Sequence, residues 1–491
     1  KARLTGAPAG ASTRGSSKEL SVATYDLAII GSGPGGYVCA VRAGQNGLKT
    51  VVIEKDPRVG GTCTLRGCIP TKALLHSADV YGEAKHGAAI GVKTTGLELD
   101  MIGVNRFKDD VVSKSTKGIE FLFRKNKVDH LAGHGRIAGP GKVSVTLPDG
   151  KEQVIDAKHI VIATGSAPRL IPGITVGPRV MTSDELLQNA IVPKRMIVLG
   201  AGAVGMEFAS AYSRFGSEVT VVEMLPHLLP LEDEDISTEF EKSIRRRGIK
   251  FHTGAKLTKV EATAEVVKAT VDTGKGTEVL EAELFLCAVG RRPVSENLNL
   301  EKFPNVKVER GFVLADPKTL LTGESWLSVI GDVVALPGRA HPQLEHLAFV
   351  EGEFVADRIA GKNPHPVNYD LVPGATYSDP EVASVGLSEK LAKERGYKVK
   401  VGTFPFSANG KARILGEPEG LVKIVADEKY DEVLGVHIVG PRATELISDA
   451  CSLLRLETTS EEMLHVMRPH PTLSEALTEA ALGVKGKPIH M

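Results

Sequence analysis

The chain of 491 residues carries no excess charge of either sign: sixty Lys and Arg stand against sixty Asp and Glu. Nucleic acid and anionic membrane surfaces select strongly basic faces, so neither is expected as a partner. Long apolar runs are missing as well. None approaches the roughly 20 residues that a membrane-spanning helix needs. Cysteine is scarce, with five in the whole length, too few for the disulfide framework of a small secreted domain. Only two of the five lie close together, and no second Cys/His pair at short spacing joins them, so no metal site is expected. What remains, 42% apolar and 24% charged, is the profile of an ordinary globular protein. The length suits three or four domains.

Residues 1–20 differ from the rest. They are rich in Gly, Ala, Ser and Thr, carry Lys1, Arg3, Arg14 and Lys18, and hold no acid before Glu19. That texture fits a disordered tail, a linker, or the remnant of an organellar transit peptide.

The close cysteines lie in Gly60-Gly61-Thr62-Cys63-Thr64-Leu65-Arg66-Gly67-Cys68-Ile69-Pro70-Thr71-Lys72. Five residues of regular helix rise about 7.5 Å, whereas a disulfide wants its Cα atoms within roughly 7 Å. The sulfurs can therefore bond only where the backbone is distorted. Gly67 and Pro70 suit such a disturbed first turn. Cys39, Cys287 and Cys451 stand alone and read as core residues.

Around this pair the chain repeats one pattern twice. The apolar strand Tyr25–Ile30 runs into Gly31-Ser32-Gly33-Pro34-Gly35-Gly36, a helical stretch follows, and the strand Thr50–Ile53 ends on Glu54. Farther on, Arg195–Leu199 leads to Gly200-Ala201-Gly202-Ala203-Val204-Gly205, then a helix, then Glu218–Val222 ending on Glu223. The glycines let backbone approach a pyrophosphate at a helix N-terminus, and the acid binds a ribose hydroxyl. Two such units mean two dinucleotides. Glu223 favours a free 2′-hydroxyl over a 2′-phosphate, and the residues after it, Met224-Leu225-Pro226-His227, include no Arg. NAD is expected there rather than NADP.

A last chemical element is His470-Pro471-Thr472-Leu473-Ser474-Glu475. A thiol of pKa about 8.5 needs a base to become a nucleophile. Histidine, at about 6.5, exchanges protons near neutrality, and a carboxylate on its other ring nitrogen would fix its tautomer.

The run GGTC-x-x-x-GC-I-P-x-K resembles the active-site signature of the flavin-dependent pyridine nucleotide–disulfide oxidoreductases. The resemblance extends from about Tyr25 to Met491, and it is strongest to the branch that oxidises dihydrolipoamide. It implies an α/β fold with two Rossmann-like dinucleotide-binding domains, the FAD domain discontinuous, and a C-terminal α+β dimerisation domain. The expected boundaries are a tail over 1–23, FAD-binding parts at 24–168 and 293–366, an NAD-binding domain at 169–292 and the interface domain at 367–491. Cys63 and Cys68 would form the redox disulfide, with Cys63 exchanging with substrate, and His470 and Glu475 would be the acid–base pair. FAD would be held by Gly31, Gly33, Gly36, Glu54, Lys72, Thr164, Gly165 and Asp332. NAD would be held by Gly200, Gly202, Gly205, Glu207, Glu223 and Gly290, with Lys72 paired to Glu207 beside the flavin.

The expected activity is oxidation of protein-bound dihydrolipoamide by NAD⁺ in a homodimer. Its partners would be lipoyl domains and the core acyltransferase of 2-oxo-acid dehydrogenase complexes, or the H protein of glycine cleavage. The alternatives are a disulfide reductase of the glutathione, trypanothione or mercuric type, or a mainly structural assembly subunit. Glu223 argues against the NADPH users, and the intact cysteines against a structural role. The acid-poor N-terminus and the ending Lys487-Pro488-Ile489-His490-Met491 lead to an expected mitochondrial matrix location, with a bacterial cytoplasm or a plastid as alternatives. Two positions depart from the family pattern. Thr64-Leu65-Arg66 replaces Leu-Asn-Val, so that Arg66 either lowers a thiol pKa or points into solvent. Arg468 replaces a further His and is read as tuning.

Overall fold

The computed structural model describes residues 24–491; the acid-poor tail read above lies outside them. The first strand, β1 (Thr24–Ile30), buries Leu27 to Ile30 completely or nearly so. It pairs in parallel with β2 (Thr50–Glu54) on one side and with Glu152–Ile162 on the other. A central parallel strand is covered on both faces, which is why its sequence is an unbroken apolar run rather than an alternation. The sheet continues through Asp129–Ala132 at one edge and the antiparallel strands Lys142–Thr146 and His134–Gly139 at the other. Its seventh strand, Leu327–Val329, pairs in parallel with Glu152–Ile162. That strand arrives only after the second nucleotide unit has been completed, so the first domain is discontinuous.

The second unit is a parallel five-stranded sheet. Its order is Lys250–His252, Glu218–Val222, Arg195–Leu199, Leu284–Cys287, Val180–Met181. An antiparallel three-stranded sheet over 256–282 accompanies it. Where the chain leaves and re-enters the first domain, Ser166–Pro168 and Arg291–Pro293 pair as a short antiparallel ribbon. The C-terminal unit is a five-stranded antiparallel sheet from Gly374–Thr376 to Val399–Pro405. Helices Ala443–Arg455 and Glu475–Val484 contribute Ile447, Leu477 and Ala480 to the core they share with that sheet.

Helix α1 (Pro34–Gln45) follows the first turn and packs on the helix Glu345–Ile359 at glycine distance. A Cβ on Gly352 would come within 2.6 Å of the Gly35 carbonyl oxygen. Arg42 of α1 closes the other end of this contact on Asp357, at 2.7 Å. That bond holds the Asp357 carboxyl well below the usual carboxylate range. Residues 81–90 and 101–125 are helical, the stretch from Gly91 to Asp100 between them is irregular and carries two glycines, and the strand Asp129–Ala132 follows. No helix among the described residues is long and apolar enough to cross a membrane.

Candidate active site

The turn between β1 and α1 is folded so tightly that side chains cannot enter it. A Cβ on Gly31, whose φ is +106°, would lie 2.3 Å from the Ala163 carbonyl oxygen. One on Gly36 would lie 2.0 Å from that of Gly31. Helix α1 has no side-chain N-cap, so the free amides of its first turn and its positive end face a cavity of about 430 Å³. At the end of β2, Glu54 accepts bonds from the Ser32 amide (2.8 Å) and hydroxyl (2.6 Å) and from the Asp56 amide (2.8 Å). The second unit repeats this geometry. A Cβ on Gly205 would sit 1.9 Å from the Gly200 oxygen, and Glu223 accepts from the amides of Ala201 (2.7 Å) and Leu225 (2.8 Å).

The cysteines sit on two helices, not one. Helix α2 (Gly61–Arg66) stops at Gly67, where φ −138° and ψ −116° break the helical path, and α3 (Cys68–His86) starts at once with Pro70 in its first turn. A Cβ on Gly67 would meet the Thr62 oxygen at 2.9 Å. Cys63 is buried and Cys68 half-buried. Their sulfurs and the carboxylate of Glu345 lie within 4.8 Å of one another. The Cys63 thiol is pushed strongly up, first by its hydrogen bond with Cys68, then by burial and by the negative charge of Cys68 and Glu345.

One turn after Cys68, Lys72 donates to both oxygens of Glu207 at 2.9 Å and lies 4.5 Å from the Tyr377 ring centre. Burial works against the ammonium, but the charge and hydrogen bonds of Glu207 outweigh it and the net shift is upward. A third of the Lys72 side chain is open to solvent while Glu207 is 5% exposed, and both border the cavity. Arg66 does not run free into solvent. Its guanidinium bonds Asp56 and lies 3.9 Å from Asp184, tying the end of α2 to the rim of the cavity.

Of the residues expected to hold FAD, Gly31, Gly33, Glu54, Lys72, Thr164, Gly165 and Asp332 line this cavity together with both cysteines. Gly36 stands behind it, closing the turn. Asp332 accepts from Ser166, which also accepts from Arg291 at 2.6 Å. Of the nicotinamide set, Glu207 reaches the cavity; Gly200, Gly202, Gly205, Glu223 and Gly290 belong to the second turn and its neighbouring strand end. His470 and Glu475 meet as expected, Nδ1 to carboxylate at 2.8 Å, with Glu475 also accepting from the Thr472 amide at 2.9 Å. Yet the His470 side chain is 78% exposed, and neither residue lines the cavity of its own chain. Arg468 is a buried clasp on this loop, donating to Thr478 and Asp449 at 2.8 Å.

Sequence reasoning missed Glu345, Arg291 and Tyr377. No motif marks them: Glu345 and Arg291 reach the cavity, and Tyr377 reaches Lys72, from elements remote in sequence. The donor set fits FAD. A bare helix N-terminus suits the pyrophosphate, Glu54 a ribose, and Asp332 a hydroxyl chain.

A discontinuous flavin-type domain, an inserted second nucleotide unit and a cysteine pair between them define a flavoprotein disulfide oxidoreductase. Residues 25–352 match the pyridine nucleotide-disulphide oxidoreductase family and 372–481 match its dimerisation domain, and the chain belongs to that family. The family implies FAD together with NAD or NADP. The chain is 43% identical over 470 residues to the mitochondrial dihydrolipoyl dehydrogenase of Pisum sativum, covering 95% of this chain and 92% of that one. It is 43% identical over 477 residues to the dihydrolipoyl dehydrogenase of Bacillus subtilis, with 95% and 99% covered. Among solved structures, LpdA of Mycobacterium tuberculosis superposes with a TM-score of 0.85 at 26% identity, over 94% of this chain and 99% of that one.

Proposed function

We propose that this protein is an NAD⁺-dependent dihydrolipoyl dehydrogenase acting as a homodimer. The observation that carries the reading is 43% identity, over 95% of the chain, to proteins of that name. In the oxidised enzyme a substrate thiolate attacks Cys63 Sγ, the Cys63–Cys68 bond breaks, and Cys68 leaves as a thiolate. The second substrate thiolate then attacks the substrate sulfur of the mixed disulfide and expels Cys63. The substrate is now a disulfide and its two electrons reside in the cysteine pair. Lys72, held charged by Glu207, stands one turn from Cys68 and favours the thiolate there. Bound FAD supplies the two-electron relay between the thiols and the nicotinamide.

His470 takes the substrate proton at Nε2, because Nδ1 is engaged by Glu475. Being exposed and outside the cavity of its own chain, it serves the cysteines of a second copy. The match of residues 372–481 to a dimerisation domain supports this arrangement. Glu223, with no Arg in the residues that follow, favours NAD⁺. The dithiol donor would be a lipoyl group carried on the acyltransferase core of a 2-oxo-acid dehydrogenase complex or on a glycine-cleavage H protein.

The test compares NADH and NADPH, each with lipoamide and with oxidised glutathione. High turnover only with NADH and lipoamide supports the reading; preference for NADPH with glutathione overturns it.

A further inference from the structure

The cysteine pair has a charged neighbour that the reaction above leaves unused. Glu345 opens the helix Glu345–Ile359, lines the same cavity, and brings its carboxylate within 4.8 Å of both sulfurs. A helix N-terminus favours a carboxylate there. The other acids nearby are engaged: Glu207 by Lys72, Asp332 by Ser166, Glu351 by His341 and Tyr369. Glu345 makes no ion pair among the described residues. Its carboxylate is left to the sulfurs.

The pair thus lies between two opposite charges, with Lys72 one turn along the helix from Cys68 and Glu345 against both thiols. Breaking the disulfide with two electrons and one proton yields one thiol and one thiolate, and the protein must decide which sulfur keeps the proton. We propose that Glu345 makes that choice: it holds the proton on Cys63, as an S–H donating to its carboxylate, and leaves the thiolate to Cys68. The proton comes from the substrate dithiol, whose other proton departs through His470. The inference rests on reading Cys63 and Cys68 as a redox pair and adds a proton-positioning residue to it.

Other groups facing this corner do not compete. Tyr37 of α1 is pushed up to about 12 by burial, then by Glu345, and stays neutral. His346, beside Glu345, is pushed down by burial and bonds the Pro373 oxygen at 2.9 Å. Glu207 is spent on Lys72. Thiol–disulfide exchange runs on the thiolate. A proton held on Cys63 therefore assists its departure from the mixed disulfide and restrains it from attacking the product.

The test uses FAD-loaded wild type, Glu345→Gln, Glu345→Asp and a control, Glu353→Gln, at an exposed site on the same helix. Each is reduced with one equivalent of NADH without oxygen and pulsed with iodoacetamide across a pH series, and Cys63 and Cys68 are scored separately by peptide mass spectrometry. Removing a negative charge at this range should lower the pH midpoint of Cys63 alkylation, giving about tenfold faster modification at a fixed pH below it. Cys68 should be little changed, Glu345→Asp should stay nearer wild type than Glu345→Gln, and Glu353→Gln should match wild type. A Cys63 profile unmoved in Glu345→Gln, or moved equally by Glu353→Gln, overturns the proposal. Glu345→Ala serves as the second neutral variant should Glu345→Gln fail to retain FAD. If NADH unmasks neither cysteine in wild type, the redox-pair reading itself falls and takes the inference with it.

Discussion

Replacing Gly33 by Ala should separate the fold of the first turn from its hold on FAD. Gly33 has φ −62° and ψ −178°, a conformation open to any residue, and its added Cβ would find nothing nearer than the Gly61 Cα at 3.9 Å. The apo fold should therefore lose nothing, or gain about 0.4–1 kcal/mol through a stiffer unfolded chain. The methyl would, however, stand at the bare N-terminus of α1, where the pyrophosphate must approach. Losing one charge-assisted hydrogen bond costs about 1.5–3 kcal/mol, and weakening the helix-end interaction adds up to about 1. The sum, about 2–4 kcal/mol, raises the Kd for FAD by about 30- to 900-fold. Gly36→Ala is the contrast, because its Cβ would overlap the Gly31 oxygen at 2.0 Å and the turn itself must open. The second unit offers the same pair. Gly202 has open space around it, whereas a Cβ on Gly205 would lie 1.9 Å from the Gly200 oxygen. FAD titration of apo-protein, thermal melts without FAD and nicotinamide titration of the FAD-loaded form read all four variants. Gly33→Ala binding FAD like wild type would refute the placement of the phosphate at α1. Gly202→Ala weakening FAD rather than the nicotinamide would refute the assignment of the two turns.

Cys63→Ser and Cys68→Ser should each abolish lipoamide turnover while retaining FAD; substantial activity in either removes the pair from the reaction. NAD⁺ should exceed NADP⁺ by at least about a hundredfold in kcat/KM, roughly 2.7 kcal/mol. Glu223→Ala should narrow that ratio mainly by improving NADP⁺, and equal use by wild type would take Glu223 away from the ribose. A Cys63→Ser chain mixed with a His470→Ala chain should recover about a quarter of wild-type activity, since half of randomly re-paired dimers are mixed and each carries one intact site. No recovery after proven subunit exchange would put His470 and its cysteines in one chain. Asp357, held low by Arg42, contributes stability above its unfolded value of about 3.9 and loses it as pH falls through its lower folded value. Asp357→Asn should therefore flatten the decline in Tm on the acid side of about pH 4, and an unchanged acid limb would show that the Arg42 bond is not formed.

Much of the architecture was legible because it follows from local rules. An apolar run, a glycine turn, a helix and a second strand ending on an acid can fold one way only, and the chain states this twice. The discontinuity of the first domain was legible only by resemblance. Leu327–Val329 is three residues long, and nothing in it names Glu152–Ile162 as its neighbour. Arg66 shows the limit on side-chain direction. Its place beside the cysteines was plain, but its bond to Asp56 depends on how the end of β2 lies against α2. Glu345 was invisible for the same reason. It is the first residue of an ordinary helix, and only the packing of that helix on α1 carries it to the sulfurs.

The two glycine turns also show why a fingerprint identifies a class of ligand and not the ligand. In both, a glycine carbonyl fills the space that a side chain would need, and an acid at the strand end holds the turn through backbone amides. Nothing within either turn distinguishes FAD from a nicotinamide. The distinction comes from what is grafted on afterwards. The first strand–helix–strand unit leads directly into α2 and α3, which put two sulfurs and a lysine along the same cavity as the first turn. The second leads into the helix Glu234–Arg246 and the strand Lys250–His252, which do not line that cavity, and Glu207 of its glycine-turn helix reaches across to Lys72. That ion pair, together with Arg214 on Asp79 from the same two helices, joins the two nucleotide units beside the cavity. The same fold, used twice, serves two cofactors because the chemistry sits in the connections rather than in the repeated part.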